Sequence, residues 1–438
     1  MVGGARLNNG WHFYFLSKPW LDRWCLWGLR QMLVSGRAWA AASVSEGDPE
    51  LFFKELNIDN PPASWRDKIA PLLRETMELA GRQRETTQQW HDTAFGTPSN
   101  IAQAEQARRQ ASNAYWMQRW VYKKFANQCK IAPVKLLPLK EELLGSIQND
   151  TFFKMPSSLP ELKRSQAIEH AEGIREYWLS WNNSNETIYA HVYEPIQLLH
   201  NIPSFIYGHG LAMETEMLAI PDTLYKAWAL SGMRVILPDA PGHNRRVKPG
   251  WYGGESFLCQ PPFSNLTHFS KVSEELAILI AWAHGESNGK VALGGISLGA
   301  LSAQIAAHYT KNASSNFQPD ALMLATTTAF VSRLGEESSI ARITGLHKAT
   351  AAWQNEDKDR LHHLVDVKGP PPLNPKNIVM LLGKYDNVTP FLGGLQLAKE
   401  WQIPDKNLYV RRQGHFSAAF GLQYDWSPVE RLLKILSL

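Results

Sequence analysis

Three residue types that together perform nucleophilic catalysis each stand just past an apolar run. Ser297 follows Val291–Ile296 at the centre of Gly295-Ile296-Ser297-Leu298-Gly299. Asp386 follows Asn377–Leu382 in Gly383-Lys384-Tyr385-Asp386, and His415 follows Asn407–Arg411 in Gly414-His415. A serine hydroxyl is a poor nucleophile at neutral pH. A histidine can take its proton on attack and return it to the leaving group, and a carboxylate fixes the imidazole tautomer and stabilises the imidazolium. Gly-x-Ser-x-Gly suits a strained strand-to-helix turn that pushes the hydroxyl clear of the backbone, with glycines where the chain passes close to itself. Each residue alone has an ordinary explanation: a helix-capping serine, a turn-forming aspartate, a surface or core histidine. At three run ends, in the order serine, acid, histidine, they predict a catalytic triad.

A tetrahedral intermediate also needs backbone N–H donors aimed at its oxyanion. Leu298, the residue after the serine, supplies one. The segment Gly208-His209-Gly210-Leu211, after the run Pro203–Tyr207, supplies the other, from Leu211. Gly210 lets that backbone approach a substrate, and His209 beside it reads as a structural neighbour of the substrate rather than a second base. Arg245, Arg246 and Lys248 are expected near the pocket mouth, either receiving a phosphate or carboxylate or serving as loop charges and ion pairs.

The elements that must position these groups alternate. From about Gly173 the periodicity turns strand-like, with Glu176–Trp181 and Thr187–Tyr193 flanking the turn signal Asn182-Asn183-Ser184-Asn185. Strands at 203–207, 233–237, 291–296, 321–325, 377–382 and 407–411 then alternate with helices, which calls for a parallel sheet covered on both faces and an antiparallel hairpin at its start. Residues 330–372 are polar and helical in pattern, an insertion of the kind that forms a lid. Residues 1–172 read as a helical N-terminal region, and 173–438 as the domain carrying the chemistry. In the first part, Ser64-Trp65-Arg66-Asp67 has the form of a capping box, and a helix is expected over Ile101–Phe125. Between Trp11 and Val34, aromatic residues interleave with Lys18, Arg23 and Arg30, a pattern that fits either a helix packed on a domain or one lying on a membrane surface.

The chain's 438 residues, 44% hydrophobic and 20% charged, suit a large globular core. A net charge of +4 with dispersed Lys and Arg gives no basic run for nucleic acid. Cys25, Cys129 and Cys259 offer neither a disulfide framework nor metal-ligand spacing, so neither metal nor cofactor is expected. Gly294-Gly295 is not followed by Gly-Lys-Ser/Thr, which excludes a phosphate-binding loop of that type. No secretory layout and no apolar run of about 18 residues is present, which predicts a cytoplasmic protein with peripheral membrane contact through residues 11–34.

His209-Gly210, Asp239-Ala240-Pro241-Gly242-His243, the serine pentapeptide, Gly383–Asp386 with Pro390, and Gly414-His415 make residues 175–438 resemble the α/β-hydrolase superfamily. That resemblance implies a mostly parallel twisted sheet of about eight strands with helices on both faces, and serine ester-bond chemistry. More narrowly, Pro241–Pro249, Gly253–Phe257 and the long helical front are similar to the α/β-hydrolase-domain-containing protein 18 group, which is associated with lipid deacylation. The N-terminal half departs from that pattern, so the group's substrate does not carry over. The expected activity is hydrolysis of a carboxylic ester, small-molecule or acyl-lipid, through an acyl-enzyme. The alternatives are acyl transfer to an alcohol or thiol, and a non-catalytic scaffold that binds a membrane or partner.

Overall fold

Each central strand is apolar on both of its faces, because each face is covered by helices. In β7 (Val291–Ile296), Val291 and Leu293 join one core while Ala292 and Ile296 join the other. In β9 (Ile378–Gly383), Ile378, Met380 and Leu382 alternate with Val379 and Leu381 in the same way. This period-two division places one continuous sheet between two apolar layers.

The structure is a computed structural model that describes residues 16–437 except 97–99, 139–146, 148–151, 184–185, 198–199, 213–218, 351–360, 362 and 368. Its sheet has ten strands in the order β1-β3-β4-β6-β5-β7-β8-β9-β10, with β2 paired to β3. The short strands β1 (Lys163–Arg164) and β2 (Ile168–His170) edge the hairpin of β3 (Ile174–Asn183) and β4 (Glu186–Pro195). β4 runs antiparallel to β6 (Arg234–Pro238), whereas β6, β5 (Ser204–Gly208), β7, β8 (Ala321–Ala325), β9 and β10 (Leu408–Arg411) are mutually parallel. The expected eight strands are therefore present with two short additions, and pairing begins before residue 173, inside the stretch read as mostly helical.

Helix α1 (Leu21–Ala42), α2 (Pro49–Glu55), α3 (Ala63–Phe95), α4 (Ile101–Met117) and α5 (Lys123–Gln128) form the N-terminal region. Two details differ from the sequence reading. The N-cap of α3 is Pro62, so Ser64 lies inside the helix and no capping box forms. The helix begun at Ile101, capped by Asn100, passes through a 3-10 turn at Gln118–Tyr122, which separates α4 from α5. Its own core gathers Leu33, Trp39, Phe52, Phe53, Leu73, Tyr122 and Phe125.

This region is fastened to the sheet domain. Trp90 of α3 meets Trp178 of β3 edge-on at 5.3 Å between ring centroids. Arg37 of α1 reaches buried Glu255 at 3.0 Å and Glu55 at 2.9 Å, and Lys135 reaches Glu55 at 2.7 Å. A buried carboxylate of this kind is tolerated because it is paired and hydrogen-bonded.

On the sheet, α6 (Ala219–Leu230) precedes β6, α7 (Glu255–Leu258) and α8 (Phe263–Glu286) precede β7, and α9 (Leu298–Thr310) follows it. The insertion carries α10 (Leu334–Glu337), α11 (Ser339–Thr344) and α12 (Leu346–Thr350), and α13 (Phe391–Glu400), α14 (His415–Tyr424) and α15 (Ser427–Leu436) complete the chain. Among the described residues no helix is long and apolar enough to cross a membrane, no cluster of three ligating side chains is placed to hold a metal ion, and all three cysteines are free.

Candidate active site

Ser297 sits between β7 and α9 with φ 55° and ψ −121°, a conformation costly for a residue with a β-carbon. Its N–H donates to the Ala325 carbonyl oxygen at 3.0 Å and lies 3.2 Å from Thr326 Oγ1, so the end of β8 holds the strained turn. The turn closes because glycines line it. A β-carbon on Gly295 would stand 2.6 Å from the Gly299 carbonyl carbon, and one on Gly299 would stand 2.1 Å from the Gly208 carbonyl oxygen.

From this turn the Ser297 hydroxyl reaches His415 Nε2 at 2.8 Å, and His415 Nδ1 reaches Asp386 Oδ2 at 2.8 Å. The histidine begins α14 just past β10, and the aspartate follows β9, so the parallel strands β7, β9 and β10, with β8 between the first two, bring the three side chains to the carboxyl edge of the sheet. Asp386 is braced in turn. Its Oδ1 accepts the N–H groups of Val388 and Thr389, both at 2.9 Å. The Thr389 hydroxyl lies 2.9 Å from both Asp386 Oδ2 and the Thr326 carbonyl oxygen. Thr389 went unnoticed in the sequence, although an Asp followed by a hydroxyl residue three positions on is an Asx-turn signal. Strand order, the turn at Ser297 and this alignment decide the architecture.

The chain has the α/β-hydrolase fold. No family model and no curated protein matches it. Among solved structures, it is similar to a cold-adapted esterase from an Arctic intertidal metagenomic library, at 17% identity over 62% of this chain and 97% of that one, TM-score 0.40. It is similar to acetyl xylan esterase 1 from Thermoanaerobacterium sp., at 15% identity over 65% and 99%, TM-score 0.45. It is likewise similar to an S-formylglutathione hydrolase from Agrobacterium tumefaciens, at 19% identity over 61% and 99%, TM-score 0.40. These likenesses are distant, and the assignment of the α/β-hydrolase fold rests on the chain's own topology.

The serine opens on a cavity of about 130 Å³. Leu211 and Leu298 line it together with Ser297. The rest is mostly apolar: Phe257 and Leu258 come from α7, Leu266 and Phe269 from α8, and Val331, Leu334, Ile340, Ala341, Leu346, Leu361 and Val365 from the 330–372 insertion. Part of the insertion thus lines the cavity of Ser297; residues 351–360, 362 and 368 within it fall outside the described residues.

The Leu211 loop is held by the motifs around His243 and Gly254. The Ala212 N–H donates to His243 Nε2 at 3.3 Å, and His243 Nδ1 donates to the Pro241 carbonyl oxygen at 3.1 Å. This arrangement needs a neutral imidazole. Complete burial, with the buried imidazoles of His209 and His268 nearby, holds His243 well below the usual histidine range. Gly254, at φ 82°, leaves no room for a side chain: its β-carbon would come 2.8 Å from His243 Nε2 and 2.9 Å from Leu211 Cδ1.

His209 and Gly210 flank this loop, and His209 Nδ1 donates to the Gly210 carbonyl oxygen at 2.9 Å. His209 is buried against a separate small cavity with Tyr207 and Asp239, and burial lowers its pKa. The two arginines do not stand at the pocket mouth. Arg246 is buried and clasped by Glu186 at 2.9 Å and Glu275 at 2.7 Å, so its charge is spent inside the protein. Arg245 pairs with Asp239 at 2.9 Å and lies over the rings of Trp90 and Tyr189. Neither lines the cavity of Ser297. Of the two roles expected of them, the ion pairs are the one formed, because each guanidinium has a carboxylate within the fold.

Proposed function

We propose that this protein is a serine hydrolase of carboxylic esters with hydrophobic acyl groups, acting through an acyl-enzyme on Ser297. The observation that carries this is the 2.8 Å contact between His415 Nε2 and a serine held at φ 55° in an apolar cavity. His415 takes the hydroxyl proton as Ser297 Oγ attacks the ester carbonyl carbon. Asp386 keeps the imidazole oriented and stabilises the imidazolium. The backbone N–H groups of Leu298 and Leu211 receive the oxyanion. Collapse breaks the ester C–O bond, and His415 returns the proton to the departing alcohol. A water molecule, activated by the same imidazole, then attacks the acyl-enzyme and frees the acid and the serine.

The apolar wall supports an acyl chain as the group bound next to Ser297, and hence a lipid-like ester. Three tryptophans at helical spacing, Trp20 at the N-cap of α1 and Trp24 and Trp27 within it, are 53%, 65% and 56% exposed, with the exposed cations Arg23 and Arg30 between and beyond them. That face supports a peripheral contact with an anionic membrane surface, where indole rings and cations are favoured together. Residues 11–15 of the aromatic segment lie outside the described residues.

The test is Ser297→Ala beside wild type, with fluorophosphonate labelling and hydrolysis of nitrophenyl esters of increasing chain length. Wild type is expected to label and to favour medium or long chains, and the variant to do neither while keeping its circular dichroism. Labelling retained in the variant would remove Ser297 as the nucleophile.

A further inference from the structure

The group that fixes the backbone under His415 comes from the other end of the chain. Because α14 begins at His415, the N–H groups of its first turn have no partner within the helix. The N-cap is Gly414, which has no side chain to accept them. The acceptor is Asp22 of α1. Its Oδ1 takes the Phe416 N–H at 2.7 Å, and its Oδ2 takes the Ser417 hydroxyl at 2.5 Å. Ser417 Oγ in turn accepts the Gly414 N–H at 2.8 Å. One residue earlier, Gln413 Nε2 donates to the Ser17 carbonyl oxygen at 3.0 Å. Gln413 and Phe416, on either side of the histidine, are therefore tied to Ser17 and Asp22.

The fit is close. A β-carbon on Gly414 would fall 2.4 Å from Asp22 Cγ, so the carboxylate presses on the backbone immediately before His415. Asp22 is 9% exposed and lies on the side of α1 opposite the tryptophan stripe. A carboxylate so placed is stabilised by the positive end of a helix as well as by its hydrogen bonds. It is the only acidic residue of α1.

We propose that Asp22 is a positioning residue for His415: by capping α14 from outside, it sets the backbone from which the imidazole reaches Ser297. This rests on reading Ser297, His415 and Asp386 as the catalytic triad. Asp22 touches no reacting atom. It acts through Phe416 and Ser417, which makes the N-terminal helical region a part of the catalytic apparatus and not merely a cover for it.

The experiment uses the full-length protein with Asp22→Ala and Asp22→Asn. It measures ester kinetics, fluorophosphonate labelling rate and hydrogen–deuterium exchange across residues 412–424. Displacing a general base by a fraction of an ångström lowers turnover without removing substrate contacts. For Asp22→Ala, kcat and labelling rate are expected to fall by about tenfold or more, KM to stay within about twofold, and residues 412–424 to exchange faster. Asp22→Asn, which keeps one acceptor oxygen, is expected between Ala and wild type, and it decides the matter if the alanine variant does not fold. Unchanged kcat in an active, folded protein overturns the proposal, as does a loss that only tracks a smaller folded fraction, with kcat per folded molecule unchanged. A wild type that neither labels nor turns over ester brings down the hydrolase reading and the positioning role with it, a result distinct from an active wild type with indifferent Asp22 variants.

Discussion

Gly299 lies against Gly208 so closely that a β-carbon on it would stand 2.1 Å from the Gly208 carbonyl oxygen and 2.3 Å from its carbonyl carbon. The obstacle is backbone of β5, which cannot rotate away. Gly299→Ala must therefore separate α9 from β5 or distort the turn at Ser297. The expected cost is at least about 3 kcal/mol, at the upper end of overpacking effects, with ester turnover lost even in the fraction that folds. Urea denaturation alongside turnover checks both.

Thr389 supports Asp386 from its hydroxyl and its N–H at once. Thr389→Val keeps the N–H and the volume but removes the hydroxyl, leaving Asp386 Oδ2 with His415 alone. Turnover is expected to fall by about tenfold with little change in melting temperature. Asp386→Asn is expected to lose about four orders of magnitude in kcat, because the amide favours the wrong imidazole tautomer. Steady-state kinetics on both variants separates support from orientation.

Three buried histidines give the fold an acid-sensitive core. Complete burial, assisted by Arg246 and His209, pulls His268 down to about 3, and burial also lowers His209 and His243. In the unfolded chain a histidine titrates near 6.5. Between those values the unfolded state binds more protons, so the stability these groups allow is complete above about pH 6.5 and declines as pH falls. For His268 alone the decline from pH 7 to pH 5 is about 2 kcal/mol. Denaturation midpoints should fall across that interval, and His268→Leu should shrink the difference by about that amount.

Arg246 and Glu275 test whether the loop cations are structural. Arg246→Met leaves Glu275 buried without its partner, which is expected to destabilise the protein by about 3 to 5 kcal/mol. The double variant Arg246→Met with Glu275→Leu should recover much of that loss. KM for an anionic ester is expected to be the same in the double variant as in wild type. A rise confined to anionic substrates would restore Arg246 to the binding site.

The strand-end residues were legible because their neighbours are local: Ser297 carries its glycines two positions away, and Asp386 and His415 each follow a strand with a clear apolar pattern. The alternation of apolar strand runs with helical stretches likewise announced a sheet covered on both faces. Arg245 and Arg246 misled because their partners, Asp239, Glu186 and Glu275, include residues far away in the chain, and nothing in Asn244–Lys248 reveals that both guanidiniums turn inward. Ser64 misled for a different reason: the capping pattern is present, but the helix already begins at Ala63. Asp22 had no local signal at all. Its partners Phe416 and Ser417 lie 394 and 395 residues on, and only the docking of α1 brings them together.

The pairing of Arg37 with Glu255 bears on how the molecule can be handled. Glu255 also accepts the Lys135 N–H at 2.8 Å, and it stands next to Gly254, whose neighbours are Leu211 and His243. A chain begun at residue 173 would remove both of those partners from a carboxylate that stands one residue from Gly254, where the Leu211 side chain packs. The sheet-bearing half is thus no detachable module: cutting away the front would unmake the pocket as surely as changing a residue inside it.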